Sequence, residues 1–336
     1  MQRLQQVNMQ FASAGKGGKP AGRKLKPPVS DVWESMGMDQ HLSSRAIKMR
    51  KETAAAMDAC YSDMLKAVDS TDFPMWLPEK IKGLGINGLQ IKGYGSPGLG
   101  LLESAAQVYE IAKRDVSAST FFLVHNAIGM MVIYELGDDE QKERLLTKGM
   151  TFEKIFCFGL TEPQNGSDAS ALKSNARKVE GGYILNGQKR WIGNGTFGDV
   201  IVWARNENDG GRVQAFVVEK GSPGFVAKKM EGKLGLRFTQ NADITMTDVF
   251  VPDKNKLTHS KDFATGTNKI LESSRLTVAW MAAGCAAGVY EAAIKYCTKR
   301  VQFGRPIAGF QLIQERLSRM MANTEFTISH LARVTQ

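Results

Sequence analysis

Residues 158–168 read FGLTEPQNGSD, and residues 191–196 read WIGNGT. The first stretch ends an apolar run, IFCFGLTE from 155 to 162, and turns through Pro163 and Gly166. Thr161 and Ser167 offer hydroxyls there, and Gly166 removes the side-chain bulk that would keep a ligand's oxygens from main-chain donors. The second stretch sets a tryptophan, expected to be buried, beside two glycines. Taken alone, both stretches are satisfied by a Pro/Gly turn between strands. A ligand site needs the rest of the chain to agree.

Outward from these blocks the pattern changes twice. From about Met38 to Met150 the spacing is helical. AIKMRKETAAAMDACYSDMLKAV is one candidate helix, and SAAQVYEIAKRDVSASTFFLVHNAIGMMVIYELG holds one or two more. FFLVHNAIGMMVIY is apolar on nearly every face and reads as a core helix. GDDEQKERLL places acids in the first turn of a short capped helix. From about Ile155 to Pro252, five short β-branched and aromatic runs alternate with VEGGY, NENDGGR and KGSPG, which signal turns. Helical spacing then returns over roughly Lys269–Arg300 and Gln311–Arg333, broken by VQFGRPIAGF with Gly304 and Pro306. The expected fold class is α+β: a helical N-terminal domain (38–154), a middle β-barrel or sandwich domain (155–260) and an incomplete C-terminal helical bundle (261–336), behind a basic disordered tail (1–37).

The 336 residues suffice for two or three domains with sizeable cores. Of the net charge of +10, Arg3, Lys16, Lys19, Arg23, Lys24 and Lys26 supply six, and no acid occurs before Asp31. The charge therefore describes a tail and gives no sign of a nucleic-acid face. Two addresses compete for that tail: an acid-free mitochondrial presequence, and RLQQVNMQF (3–11), which resembles an N-terminal peroxisomal signal with an atypical Asn8. Four scattered cysteines imply neither a disulfide framework nor a zinc site. The four histidines lack metal-ligand spacing, so no metal is expected. The longest apolar run, Val278–Tyr290, has 13 residues, too few to span a bilayer. GYGSPG (93–98) fits a dinucleotide-binding glycine pattern in form, but Pro97 and the lack of βαβ alternation make it a turn before a helix.

FGLTEPQNGSD, GGYILNGQKRWIGN, KLGLRFTQNADITMTDVFVP and RVQFGRPIAGFQLIQ, in this order and spacing, resemble the acyl-CoA dehydrogenase and acyl-CoA oxidase family over about Phe73 to the end. IKGYGSPGL, NGSDAS and WIGN look most like the plant-type short-chain peroxisomal oxidases, with glutaryl-CoA dehydrogenases next. The resemblance implies FAD as cofactor, an acyl-CoA substrate and a homodimer or homotetramer. It implies that Phe158, Leu160, Thr161, Gly166 and Ser167, with Trp191, Ile192 and Gly193, line the flavin, Ser167 also reaching toward the thioester. It further implies that Arg300, Gln302, Phe303 and Gln311 serve the FAD of a neighbouring subunit, and that Glu272 and Arg275 lie at the CoA portion. A guanidinium suits a diphosphate because its fork can bond two oxygens.

Four departures matter. The family often has Thr where this chain has Gly193; losing that hydroxyl beside flavin N5 leaves room for O₂ and leans the expectation toward an oxidase. The usual catalytic Glu and a Gly-rich FAD segment match positions beyond Gln336, so the catalytic residue is unassigned, and the expectation is a truncated chain or, failing that, a non-catalytic relative. Some relatives carry a Glu before the Arg matching Arg275; this chain has Ser274, and Glu272 lies on a neighbouring helical face. The Arg that pairs with a dicarboxylate in glutaryl enzymes is matched by Ser119, counting from Asp115, so a neutral short acyl chain is expected. A dehydrogenase passing electrons to an electron-transfer flavoprotein is the alternative.

Overall fold

The protein is described here from a computed structural model covering residues 31–336; the basic tail over 1–30 and both of its candidate addresses lie outside the described residues. The tail expected through residue 37 ends earlier. Asp31 caps a short helix, α1 (Val32–Ser35), whose Trp33 is fully buried, with its ring 5.1 Å from Tyr109 and 5.6 Å from Trp280. A tryptophan so enclosed makes this segment part of the core.

The helix expected over 46–68 is two, α2 (Ser44–Ala59) and α3 (Tyr61–Ser70), parted at Cys60, whose N–H is shared between Ala56 and Met57 carbonyls. After α4 (Leu77–Gly83), three glycines with positive φ carry GYGSPG through a turn into α5 (Leu101–Arg114). The apolar stretch that follows is α6 (Val116–Leu123), a π turn over Val124–Met130 and α7 (Met131–Leu136). In α8 (Asp139–Met150), Asp138 accepts from the Gln141 N–H while the Gln141 side chain accepts from the Asp138 N–H, so both ends of the box are satisfied.

Seven strands form one sheet in the order β1 (Phe156–Gly159), β4 (Asp199–Asn206), β2 (Asn175–Val179), β3 (Gly182–Ile192), β7 (Ala242–Pro252), β6 (Phe225–Lys229), with β5 (Arg212–Val218) on the other side of β4. Here β4 runs parallel to β1 and β2, and the remaining pairs are antiparallel. Two strands, β2 and β6, went unread in the sequence, because NARKV and FVAKK are half polar and sit beside turn signals. Both faces of β4 are buried. Ile201 and Trp203 point into a core shared with α7 and α8, and Val200, Val202 and Ala204 into a second core with β3 and β7. That is why DVIVWAR reads as an unbroken apolar run.

The long helix α9 (Lys269–Cys297) lies along α5, and α10 (Gln311–Thr335) packs back on it. Gly284 and Gly288 bring α9 against α5: a Cβ at Gly288 would stand 2.0 Å from the Lys113 carbonyl oxygen. Val116–Leu136 and Phe263–Cys297 are long and apolar enough to cross a membrane by length and composition, beyond what the 13-residue run suggested. Most of the first is buried inside the fold, as in a core helix. No group of three or more metal-ligating side chains occurs among the described residues.

Candidate functional site

One carboxylate fastens the opening stretch to the rest. Glu162 accepts from the main-chain N–H of Lys173 (2.6 Å) and Ser174 (2.9 Å), from Ser174 Oγ (2.6 Å) and from Lys189 Nζ (2.9 Å). Lys189 Nζ also donates to the Leu160 carbonyl at 3.1 Å, and the Arg190 N–H to the Thr161 carbonyl at 2.8 Å. Burial disfavours both charges. It draws Lys189 down to about 8 against the pull of Glu162, while Lys189 and the bonds from Ser174 and Lys173 hold Glu162 below the usual carboxylate range. The pair is charged at neutral pH, and it locks Leu160–Thr161 beside Lys189–Arg190. Nothing in the motif singled out this clamp, although a Glu and a Lys inside two apolar blocks is the signal it leaves.

Thr161 therefore lies beside Arg190 and Trp191, and Phe158 is half-buried, edge-on to Trp203 at 5.9 Å. The expectation of a buried tryptophan fails: Trp191 is 54% exposed. Its φ of 63° and that of Asn194, 61°, place both in the left-handed region, so the turn is strained to present the indole outward. Arg190 lies over that ring at 5.5 Å. Ile192 and Leu160 send their side chains into the two cores, so only their main chains can serve a ligand, a correction to their expected place at the flavin. Gly166 and Ser167 are exposed at the bend, and a Cβ at Gly166 would meet nothing within 4 Å. Its smallness thus serves only what approaches from outside.

Two buried polar atoms in these blocks, Asn165 Oδ1 and Asn194 Oδ1, have no partner among the described residues. With the exposed indole face, the open Gly166 and the Thr161 and Ser167 hydroxyls, the donors and acceptors fit a flat, partly polar ring with a diphosphate tail.

The room expected at Gly193 is taken. A Cβ there would lie 3.0 Å from Val124 Cγ2, so the valine of the π turn occupies the space that a threonine would need. We expect Gly193→Thr to cost about 1–3 kcal/mol by overpacking, and Val124→Ala in the same chain to restore most of it; thermal unfolding of the single and double variants measures this.

Next along the π turn, His125 is fully buried. Its Nδ1 accepts from the Phe156 N–H at 3.0 Å and its Nε2 contacts the Gly149 carbonyl at 3.1 Å, which assigns the proton to Nε2. Burial lowers its pKa to about 4, only partly opposed by that bond. Between pH 4 and about 6.5 the unfolded chain holds a proton that the folded one lacks, so stability falls as pH falls through this window, by up to about 3 kcal/mol. Urea unfolding of wild type and His125→Gln between pH 7 and pH 4 should show a shallower slope in the variant.

Elsewhere, α5, the π turn, the Gly88–Gln90 loop and α9 line a narrow cavity of about 30 Å³. Its wall on α9 is the stripe Ser273, Leu276, Thr277 and Trp280. Asn126 fixes the facing loop, its Oδ1 accepting from the Gly88 N–H at 2.5 Å. Glu272 and Arg275 are exposed and do not line it, flanking Ser273 at its open end. Ser274 is buried and donates to the Leu271 carbonyl.

Arg300, Gln302, Phe303 and Gln311 lie on the hairpin Val301–Gln302/Arg305–Pro306 and at the start of α10, all exposed. At 1.5 Å per residue, Arg300 is about 37 Å along the chain axis from Arg275. Phe303 is 92% exposed.

Residues 44–153, 157–249 and 265–336 match the acyl-CoA dehydrogenase N-terminal, middle and C-terminal domains respectively. An acyl-CoA dehydrogenase of Bacillus subtilis (strain 168) is 32% identical over 290 residues, 85% of this chain and 76% of that protein. The short-chain-specific acyl-CoA dehydrogenase of Megasphaera elsdenii is 34% identical over 257 residues, 74% of this chain and 67% of that one. A glutaryl-CoA dehydrogenase from Mycobacterium smegmatis, solved in complex with FADH2, superposes with a TM-score of 0.85 at 27% identity, over 90% of this chain and 78% of its own. The match thus begins some thirty residues before Phe73, where the sequence blocks begin. With all three domains matched in order and the backbone following, the chain belongs to the acyl-CoA dehydrogenase family, whose cofactor is FAD.

Proposed function

We propose that this chain binds FAD in the Thr161–Trp191 cleft and holds a short acyl-CoA in the adjoining cavity for α,β-dehydrogenation to the 2-enoyl thioester. The observations that carry the reading are the union of the two blocks by the Glu162–Lys189 clamp and the presence of a narrow, mainly apolar cavity in the same fold. FAD, when bound, supplies the acceptor for the β-hydride. The chain's own part is to orient: Thr161 and Ser167 offer hydroxyls, Trp191 an apolar wall, and the stripe from Ser273 to Trp280 aligns the acyl chain and excludes water. About 30 Å³ admits a few water-sized groups, which supports a short tail. Among the described residues no carboxylate lines the cavity, so the base that takes the α-proton is proposed to come from outside them.

For the electron acceptor, Val124, 3.0 Å from where a Cβ at Gly193 would stand, weighs against extra room for O₂ and supports a protein acceptor. The oxidase reading is kept as second on IKGYGSPGL, NGSDAS and WIGN, and with it a peroxisomal address from RLQQVNMQF, a mitochondrial one being the counterpart of the first. A homo-oligomer is proposed because the resemblance gives Arg300, Gln302, Phe303 and Gln311 to the FAD of a neighbouring subunit, and all four are exposed, which supports that reading. An absorbance scan after incubation with FAD tests the cofactor: a colourless, well-folded chain overturns the proposal. With butyryl-CoA, dye reduction under nitrogen without peroxide release in air supports the dehydrogenase; peroxide release supports the oxidase.

A further inference from the structure

Resting on the reading of the cavity as the acyl site, we infer that its inner end selects a short acyl thioester whose far carbon carries a hydroxyl group, recognised by Ser104. Ser104 stands on α5 among the cavity-lining residues, is 2% exposed, and its Oγ has no hydrogen-bond partner among the described residues. A serine in mid-helix can return its proton to the carbonyl four residues back. Here the Gly100 carbonyl accepts the Ser104 main-chain N–H at 2.9 Å and the hydroxyl stays unpaired.

Two polar side chains of the lining, Trp280 and Asn126, are committed elsewhere. Trp280 Nε1 donates to Thr335 Oγ1 at 3.0 Å, Asn126 Oδ1 accepts from the Gly88 N–H, and Asn126 Nδ2 donates to the Phe122 carbonyl at 2.9 Å. The burial gradient orients the cavity: Ser273 is exposed and marks the mouth, whereas Ser104, Ala105, Val108 and Phe122 are buried and mark the floor. A plain hydrocarbon tail would leave the hydroxyl unpaired, and a tail ending in a hydroxyl could give or receive the bond. A carboxylate tail is disfavoured because no charged side chain lines the cavity. A site built around a buried polar group discriminates strongly against the analogue that lacks its partner.

The test is calorimetric binding of 4-hydroxybutyryl-CoA and butyryl-CoA to FAD-loaded wild type and Ser104→Ala. Wild type should bind the hydroxy thioester the more tightly, by about tenfold. The alanine variant should lose that preference, mainly by tightening on butyryl-CoA, with a melting temperature no lower than wild type. Should the alanine variant not fold, Ser104→Cys, close in volume and a weaker hydrogen-bonding group, reads the same ratio. Equal affinities in wild type, or a ratio unmoved by either substitution, overturns the role of Ser104 while leaving the acyl site standing. Binding of FAD but of neither thioester overturns the acyl-site reading and this inference with it.

Discussion

Glu162→Gln is expected to destabilise the protein by about 3–5 kcal/mol, the range for removing one partner of a buried ion pair. The substitution keeps the shape and removes the charge. Lys189 Nζ is then left in the interior with only the Leu160 carbonyl as a firm partner, and Ser174 loses its charged acceptor. For a chain of this size the fall in melting temperature should be roughly 5 °C. FAD uptake should fall with it, because the pair holds the 158–168 bend in register with the Trp191 turn. The companion double variant, Glu162→Leu with Lys189→Met, removes both charges and should recover much of the stability, since a buried pair often does no better than apolar groups of like volume. If the single variant melts like wild type, the clamp is not what holds the site together.

The second large effect is expected at the helix crossing. Gly288→Ala would bring its methyl to 2.0 Å from the Lys113 carbonyl oxygen, and Gly284→Ala to 2.4 Å from that of Tyr109. Both obstacles are backbone inside a helix, so neither can swing aside, and α9 must move away from α5. We expect about 3 kcal/mol or more for Gly288→Ala. The loss should be felt in binding too, because Leu276 and Trp280 on α9 face Ser104 and Val108 on α5 across the cavity. Gly83→Ala is the control: it would meet nothing within 4 Å and should be neutral or slightly stabilising. Titration with butyryl-CoA beside thermal melts separates loosened packing from simple unfolding. An unchanged affinity in a destabilised Gly288→Ala would show that the cavity tolerates the shift.

What the sequence disclosed was whatever rests on local pattern. The helical, β, helical order, the capped helix at Asp138 and the two long terminal helices follow from periodicity and turn residues. Strands β2 and β6 did not, because their identity comes from pairing partners, β3 and β7, that a polar five-residue run cannot announce. The flavin blocks were legible as motifs, yet which atoms face a ligand was not: Leu160 and Ile192 point into cores, and Trp191 points out. That Ser273, Leu276 and Trp280 line the cavity was likewise not legible, since a rotation of one residue on α9 decides which side chains do. The filling of the Gly193 space by Val124 is a contact between positions nearly seventy residues apart, which no local reading supplies.

The π turn at Val124–Met130 carries a consequence for how this chain can vary. It sets Val124 against Gly193, His125 against Phe156 and Asn126 against Gly88 at once, with one residue more than an ordinary coil would use. Deleting one of these seven residues would restore the ordinary coil and leave the flanking helices in register, but three consecutive side chains could then no longer face three separate partners. Side chains in this segment can be exchanged one at a time, whereas a shorter segment gives up at least one of the three contacts outright.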